Sequence, residues 1–179
     1  MTVNFHIPLD AERQAVAVEL QDMLVDLIDL TLIGKHLHWN LEGRLFRSVH
    51  TELDDLVDAW RMLSDDVAER AVTIGASPDG QVETIAGATR LQPLPPGHLT
   101  DRQVLKAIGD RVGGVARRTR QRIDSVAVTD PVTCDLLVRT AATLEKQLWM
   151  IRAQHRGTER AAEATFLAPA EDLNGADRS

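Results

Sequence analysis

The stretch KHLHWNLEGRLFRSVH, residues 35–50, sets His38 and His50 twelve positions apart, and Asp54, Asp65 and Glu69 follow at helical spacing. Imidazole nitrogen and carboxylate oxygen together suit borderline divalent ions such as iron, manganese or zinc. A helix turns about 100° and rises about 1.5 Å per residue. With His50 as origin, Asp54 lies roughly 40° round the axis, Asp65 roughly 60° and Glu69 roughly 100°, so all four share one broad face. They cannot share one ion. Asp65 falls about 22 Å along the axis from His50, whereas metal–ligand bonds reach only about 2.0–2.6 Å. The donors therefore divide into two clusters at the two ends of one helix. His38 and His50, with Asp54 nearby, form one; Asp65 and Glu69, at i and i+4, form the other.

A second copy of the chain removes the difficulty. If this helix packs antiparallel against its own copy, the histidine end of one subunit meets the carboxylate end of the other. Two-fold symmetry is the commonest arrangement of homo-oligomers. It predicts two identical sites, each with His38 and His50 from one subunit and Asp65 and Glu69 from its mate. The di-iron signature of ordinary ferritin bundles, Glu-x-x-His on each of two helices, does not occur anywhere in the chain. A di-metal site inside one bundle is therefore disfavoured, which moves the site to an interface.

Four segments carry the apolar periodicity of helices. The first runs through Val16, Leu20, Met23, Leu27, Leu30, Gly34 and Leu37, with Asp10 as N-cap and 40–43 as its stop. Phe46, Val49, Leu53, Leu56, Trp60, Leu63, Val67, Ala71 and Ile74 form the second, closed by Gly75 and Pro78. The third follows Val104, Ile108, Val112, Val115, Thr119 and Ile123, and its entry, Thr100 to Gln103, reads as a capping box. The fourth holds Leu137, Ala141, Leu144, Leu148 and Ile151 behind Asp130-Pro131. Between the second and third lies a connection over 76–99 with Pro78, Pro93, Pro95 and Pro96. Helix pairs in bundles usually need only about two to eight linking residues. A link this long can run the length of a bundle and leave helices two and three parallel. Its apolar fragment, 84–88, predicts a short extra helix. The expected organisation is a short N-terminal tail (1–9), an all-α four-helix bundle (10–156) and a flexible C-terminal tail (157–179).

The 179 residues suffice for one domain with a substantial core. Tyrosine is absent, and the single cysteine, Cys134, excludes an internal disulfide framework and fits a reducing compartment. No basic-plus-apolar leader and no apolar run of spanning length occurs, so the sequence predicts a cytoplasmic protein without a membrane partner.

The stretch Lys35 to Asn40, with Gly43, Phe46 and His50, resembles the mini-ferritins called Dps, DNA-binding proteins from starved cells. Asp54, Asp58 and Ser64 to Arg70 match the same pattern, as do Leu144 to Trp149. The resemblance covers roughly residues 20–156, and the spacings of twelve, fifteen and four all agree. It implies a ferritin-like four-helix bundle whose long crossover between helices two and three contains a short helix, assembled from two-fold dimers into a hollow dodecamer. The implied activity is ferroxidase: two irons per inter-subunit site are oxidised, typically by hydrogen peroxide, and stored as ferric mineral. Carried over, His38 and His50 become iron ligands from one chain. Asp65 and Glu69 become ligands from its neighbour, with Glu69 able to bridge. Asp54 can hold the second iron, directly or through water, and Trp39 is the aromatic beside the site. Lys35 and Arg70 are candidates for orienting ligands. Asp124, Asp130 and Asp135 fall where family members line an iron-entry pore, and Glu52, Asp55 and Asp58 are candidates for an anionic inner wall.

Several residues have blander readings. His6, His36, His98 and His155 read as surface or capping groups, His155 at a helix C-terminus. Trp60 and Trp149 read as core or interface packing. The DNA-binding habit is not expected here. Phosphate affinity needs several basic charges, yet residues 1–10 contain no Lys or Arg. Residues 157–179 hold only Arg160 and Arg178 against Glu159, Glu163, Glu171, Asp172 and Asp177, and the net charge is −7. DNA binding is expected to be weak or absent. The alternatives are a nucleoid-associated, DNA-compacting protein, and a bundle whose interfacial site holds zinc or manganese without redox chemistry.

Overall fold

A computed structural model describes residues 10–167, with side chains described to 157. The N-terminal tail with His6, and the C-terminal tail beyond 167, lie outside the described residues. Five helices and one two-strand bridge account for the rest: α1 (Ala11–Asn40), β1 (Leu41–Glu42), α2 (Phe46–Thr73), α3 (Val82–Ala88), β2 (Leu99–Thr100), α4 (Asp101–Val126) and α5 (Pro131–Leu167).

Three of the helices begin at the caps their sequence predicts. The Asp10 carboxylate accepts from the Arg13 backbone N–H at the head of α1. Thr100 and Gln103 cap α4 reciprocally. Asp130 accepts from the backbone N–H groups of Val132 and Thr133, and Pro131 takes the first position of α5, where its missing N–H costs nothing. The turn after α1 demands glycine. Gly43 has φ +125°, and a Cβ there would come within 2.7 Å of Asp101 Oδ2. That same oxygen accepts from the Leu45 N–H, so Asp101 ties the entry of α2 to the start of α4.

The α1–α2 and α4–α5 pairs are antiparallel hairpins. β1 and β2 pair in parallel, Leu41 with Leu99 and Glu42 with Thr100. This brings the starts of α2 and α4 to one end of the bundle, so the two run in the same direction, as the long connection predicts. The bridge itself has no periodic signal and was not expected. α1 anchors the connection. Gln21 exchanges two hydrogen bonds of 2.8 Å with the Asp79 backbone, Asp22 pairs with Arg90, and Asp29 accepts from Thr89. Arg111 of α4 donates to the carbonyls of Gln92 and Pro93.

The core is continuous through the four long helices, with Trp60, Leu20, Leu27, Leu53, Ile108, Leu137 and Leu144 fully buried. Trp60 lies where Gly34 of α1 faces α2. A Cβ on Gly34 would stand 2.6 Å from Val57 Cγ2 and 2.9 Å from Trp60 Cζ3, so only glycine permits this spacing. The indole N–H donates to Gln147 Oε1 at 2.9 Å. One buried charge cluster crosses the core: Asp26 accepts from both Arg118 and Arg122, which satisfies a carboxylate that would otherwise be costly to bury. Among the described residues no helix is long and apolar enough to cross a membrane.

Two expectations need correction. α5 does not stop at 156 but continues through Gly157 to Leu167, because the Ala- and Glu-rich composition there is helix-forming. His155 therefore lies inside a helix and gains nothing from a C-terminal dipole.

Candidate metal centre

The last turns of α1 and the first turns of α2 converge on three side chains. His38, His50 and Asp54 each place a ligand atom within 4.8 Å of the others, and no other such group occurs among the described residues. The pairing follows from register. α1 ends at Asn40, the glycine turn reverses the chain, and His50 comes back opposite His38. The two rings stack, centroids 3.6 Å apart and 24° from parallel.

Each ring is fixed by the other's backbone. His38 Nδ1 lies 3.1 Å from the His50 carbonyl oxygen, and His50 Nδ1 lies 3.2 Å from that of His38. A carbonyl can only accept, so both Nδ1 atoms carry a proton, and Nε2 is the ring nitrogen left to face an ion. This is the support metal-ligating histidines usually have. Phe46, one turn before His50, stacks on its ring at 4.9 Å. Asp54 Oδ1 accepts from Lys35 Nζ at 2.8 Å and lies 3.2 Å from His38 Nδ1. The Lys35 ammonium holds the Asp54 carboxyl below the usual carboxylate range, against partial burial and with help from the histidines. Lys35 also sits 5.8 Å from the centre of the Trp39 ring, which is 69% exposed beside the pair.

Asp65 and Glu69 lie further along α2 and do not join this group. Both are exposed and make no side-chain hydrogen bond or ion pair among the described residues. Asp65 stands on a groove of about 400 Å³ between α1 and α2, floored by Leu24, Ile28, Leu32 and Ala68. The separation expected from helix geometry is present in the chain.

Of the two candidate orienting residues, Lys35 touches a ligand and Arg70 does not. Arg70 turns to Asp130, donating to both of its oxygens, and to the Thr133 hydroxyl at 2.9 Å. Burial pushes the Asp130 carboxyl up. The Thr133 hydroxyl and N–H and the Arg70 guanidinium more than reverse this, lowering it to about 2. The expected pore set thus splits. Asp130 is committed inside the subunit to a helix cap and an ion pair, which leaves it no free oxygen for an ion. Asp135 pairs with Arg139 one turn on, and Asp124 is exposed. Of the acids proposed for an inner wall, Asp58 pairs with Arg61 at 3.4 Å, whereas Asp55 makes no such contact among the described residues.

Sequence reasoning missed the role of Phe46. Its i, i+4 relation to His50 was the available signal, because side chains so spaced meet on a helix surface.

Comparison with known proteins agrees with this fold. Residues 18–161 match the ferritin-like domain of the ferritin family. The chain is 39% identical over 134 residues to DNA protection during starvation protein 2 of Deinococcus radiodurans, covering 75% of this chain but only 56% of that one. It is 32% identical over 148 residues to the DNA protection during starvation protein of Agrobacterium fabrum, covering 82% and 91%. Among solved structures, Mycobacterium smegmatis Dps superposes with a TM-score of 0.77 at 36% identity, covering 86% of this chain and 94% of that chain. Dps from Microbacterium arborescens in its high iron form gives 0.76 at 25% identity, over 86% and 97%. Agreement of this extent, carried by the same helices that hold the histidine pair, places the chain in the Dps family of ferritin-like proteins.

Proposed function

We propose that the protein oxidises iron(II), mainly with hydrogen peroxide, at sites shared between two subunits, and stores the product as ferric mineral inside a dodecameric cage. Iron is substrate and cargo here. The observation that carries the reading is the histidine stack. Two rings 3.6 Å apart and 24° from parallel, each with Nδ1 engaged by the other residue's carbonyl, leave Nε2 of each ring for an ion. His38 serves one iron; His50 and Asp54 serve the second. Asp65 and Glu69 of a partner supply hard anionic oxygens, which favour the higher oxidation state. The two irons give one electron each to one peroxide, whose O–O bond breaks and, with two protons, yields two waters. No hydroxyl radical is released.

Lys35 has a defined part. With the site empty of substrate its ammonium neutralises Asp54, and it swings aside when a cation takes that carboxylate. Asp124 and Asp135 remain the candidates for an iron-entry pore, without Asp130. DNA binding stays weak in this reading. Its basis is the composition of tails that lie largely outside the described residues. The relatives' names speak of DNA protection, and removing iron and peroxide together protects DNA without contact. Stopped-flow oxidation of iron(II) by peroxide, measured with native mass on one sample, tests the proposal. Rates no faster than buffer from an intact assembly would favour a redox-silent zinc or manganese site.

A further inference from the structure

Trp60 is the bulkiest of the fully buried side chains among the described residues, and its ring spans two regions of different character. On one side it meets α1. A Cβ on Gly34 would stand 2.9 Å from its Cζ3. His38 follows Gly34 by four residues, which puts their Cβ positions about 5–6 Å apart on one helix face. The indole thus lies one helical turn from the histidine pair. On the other side its N–H donates to Gln147 Oε1 at 2.9 Å. Gln147 lines a groove of about 320 Å³ between α2 and α5, with Glu52, Asp55, Lys146 and Met150. Glu52 lies about 160° round α2 from His50, so the groove opens away from the metal centre. Indole and phenol are the aromatic side chains that give up single electrons, and the chain has no tyrosine.

We propose that Trp60 relays single electrons from iron(II) in the α2–α5 groove to the histidine centre. The inference rests on the iron reading of that centre. When only one iron(II) is bound there, peroxide receives one of the two electrons it needs, and the remainder has the oxidising power of a hydroxyl radical. Trp60 gives the second electron. The O–O bond breaks and, with two protons, two waters form, leaving Trp60 as a radical cation. Gln147 accepts its N–H, but an amide is too weak a base to take the proton, and burial keeps water away. A charge in such surroundings is unfavourable, so Trp60 recovers an electron from iron(II) held by Glu52 and Asp55. That iron becomes iron(III) on the acidic face. Two iron(II) and one peroxide give two iron(III) and two waters, as at a fully loaded centre. Trp39 is unsuited to the relay. It is 69% exposed, so its radical loses the proton to water, and the Lys35 ammonium 5.8 Å from its ring opposes a second positive charge.

The test uses the full, assembled protein carrying ring-deuterated tryptophan. One iron(II) per centre is mixed with one peroxide, frozen within milliseconds and read by electron paramagnetic resonance. A tryptophan radical is expected, and a second portion of iron(II) should abolish it. The chain has three tryptophans, so a signal kept in both Trp39→Phe and Trp149→Phe assigns it to Trp60 without disturbing the core. Trp60→Phe should lose the signal and release spin-trapped hydroxyl radical instead. No radical in the wild type, one lost in Trp39→Phe or Trp149→Phe, or one that added iron(II) leaves unchanged would overturn the relay. Loading two iron(II) per centre separates the two readings. Oxidation no faster than buffer defeats the iron reading and the relay with it, whereas rapid oxidation without a radical at one iron per centre defeats the relay alone.

Discussion

The two ends of α2 carry the same kind of residue in opposite states. At the N-terminal end, His50 is held by a backbone carbonyl, by the His38 ring and by Phe46, and Asp54 is held by Lys35. At the C-terminal end, Asp65 and Glu69 are exposed, and no side chain among the described residues holds them. In the proposed centre one half is fixed before any partner arrives, and the other would acquire its geometry only on assembly. The imidazole pair is held in advance by its stacking and by backbone carbonyls. Two carboxylates brought together without a cation would repel strongly. The asymmetry thus follows from the charges of the ligands.

Removing a ligand from the fixed end should have the largest effect. His50→Ala is expected to lower the initial rate of peroxide-driven iron(II) oxidation by more than about a hundredfold while leaving native mass unchanged. A wild-type rate would mean the wrong residue has been named. Disturbing the contact beneath that end comes next. Gly34→Ala drives a methyl into Val57 and Trp60, and overpacking of this kind costs about 1–3 kcal/mol. Thermal unfolding should show that loss, together with a weaker metal affinity if α1 and α2 separate at the histidine stack. Phe46→Leu keeps an apolar side chain but removes a ring from His50. Its oxidation rate should fall about tenfold, the scale of lost support behind a ligand, and cobalt(II) titration should report the altered site independently of turnover.

The carboxylate end is tested through its anchor. Arg70, next to Glu69, is clasped by Asp130, whose carboxyl titrates at about 2 instead of 3.8. A depressed carboxyl contributes stability that is complete above its unfolded value and disappears as pH falls through the folded one. The clasp should therefore contribute about 2 kcal/mol above pH 5 and nothing below about pH 2. Asp130→Asn should show that difference in urea denaturation at neutral pH, shrinking as the solution is acidified. A difference that grows towards low pH would contradict the assignment.

Much of this was legible in the chain. Caps at Asp10, Thr100 and Asp130 fixed where three helices begin, and apolar spacing fixed which faces are buried, because both signals are local. The pairing of His38 with His50 was also legible, since a helix, a glycine turn and a second helix leave little freedom in register. The β1–β2 bridge was not: two residues show no period, and their partner lies 58 positions away. Asp130 illustrates the other limit. Its type and loop position fitted a pore, but Arg70 sits 60 residues upstream, and nothing in either local stretch announces the pair. Long-range ion pairs of this kind are set by packing.

Subunit complementation tests the central claim most directly. His50→Ala and Asp65→Ala chains should each be inactive alone, because every site in either assembly lacks one ligand. Co-assembled at equal amounts, half of all two-fold pairs are mixed, and each mixed pair regains one complete site of two. Iron(II) oxidation should return to about a quarter of the wild-type rate. If mixing restores nothing while the mixed assembly is verified by mass, the nitrogen and oxygen donors do not meet across a subunit boundary, and the account fails.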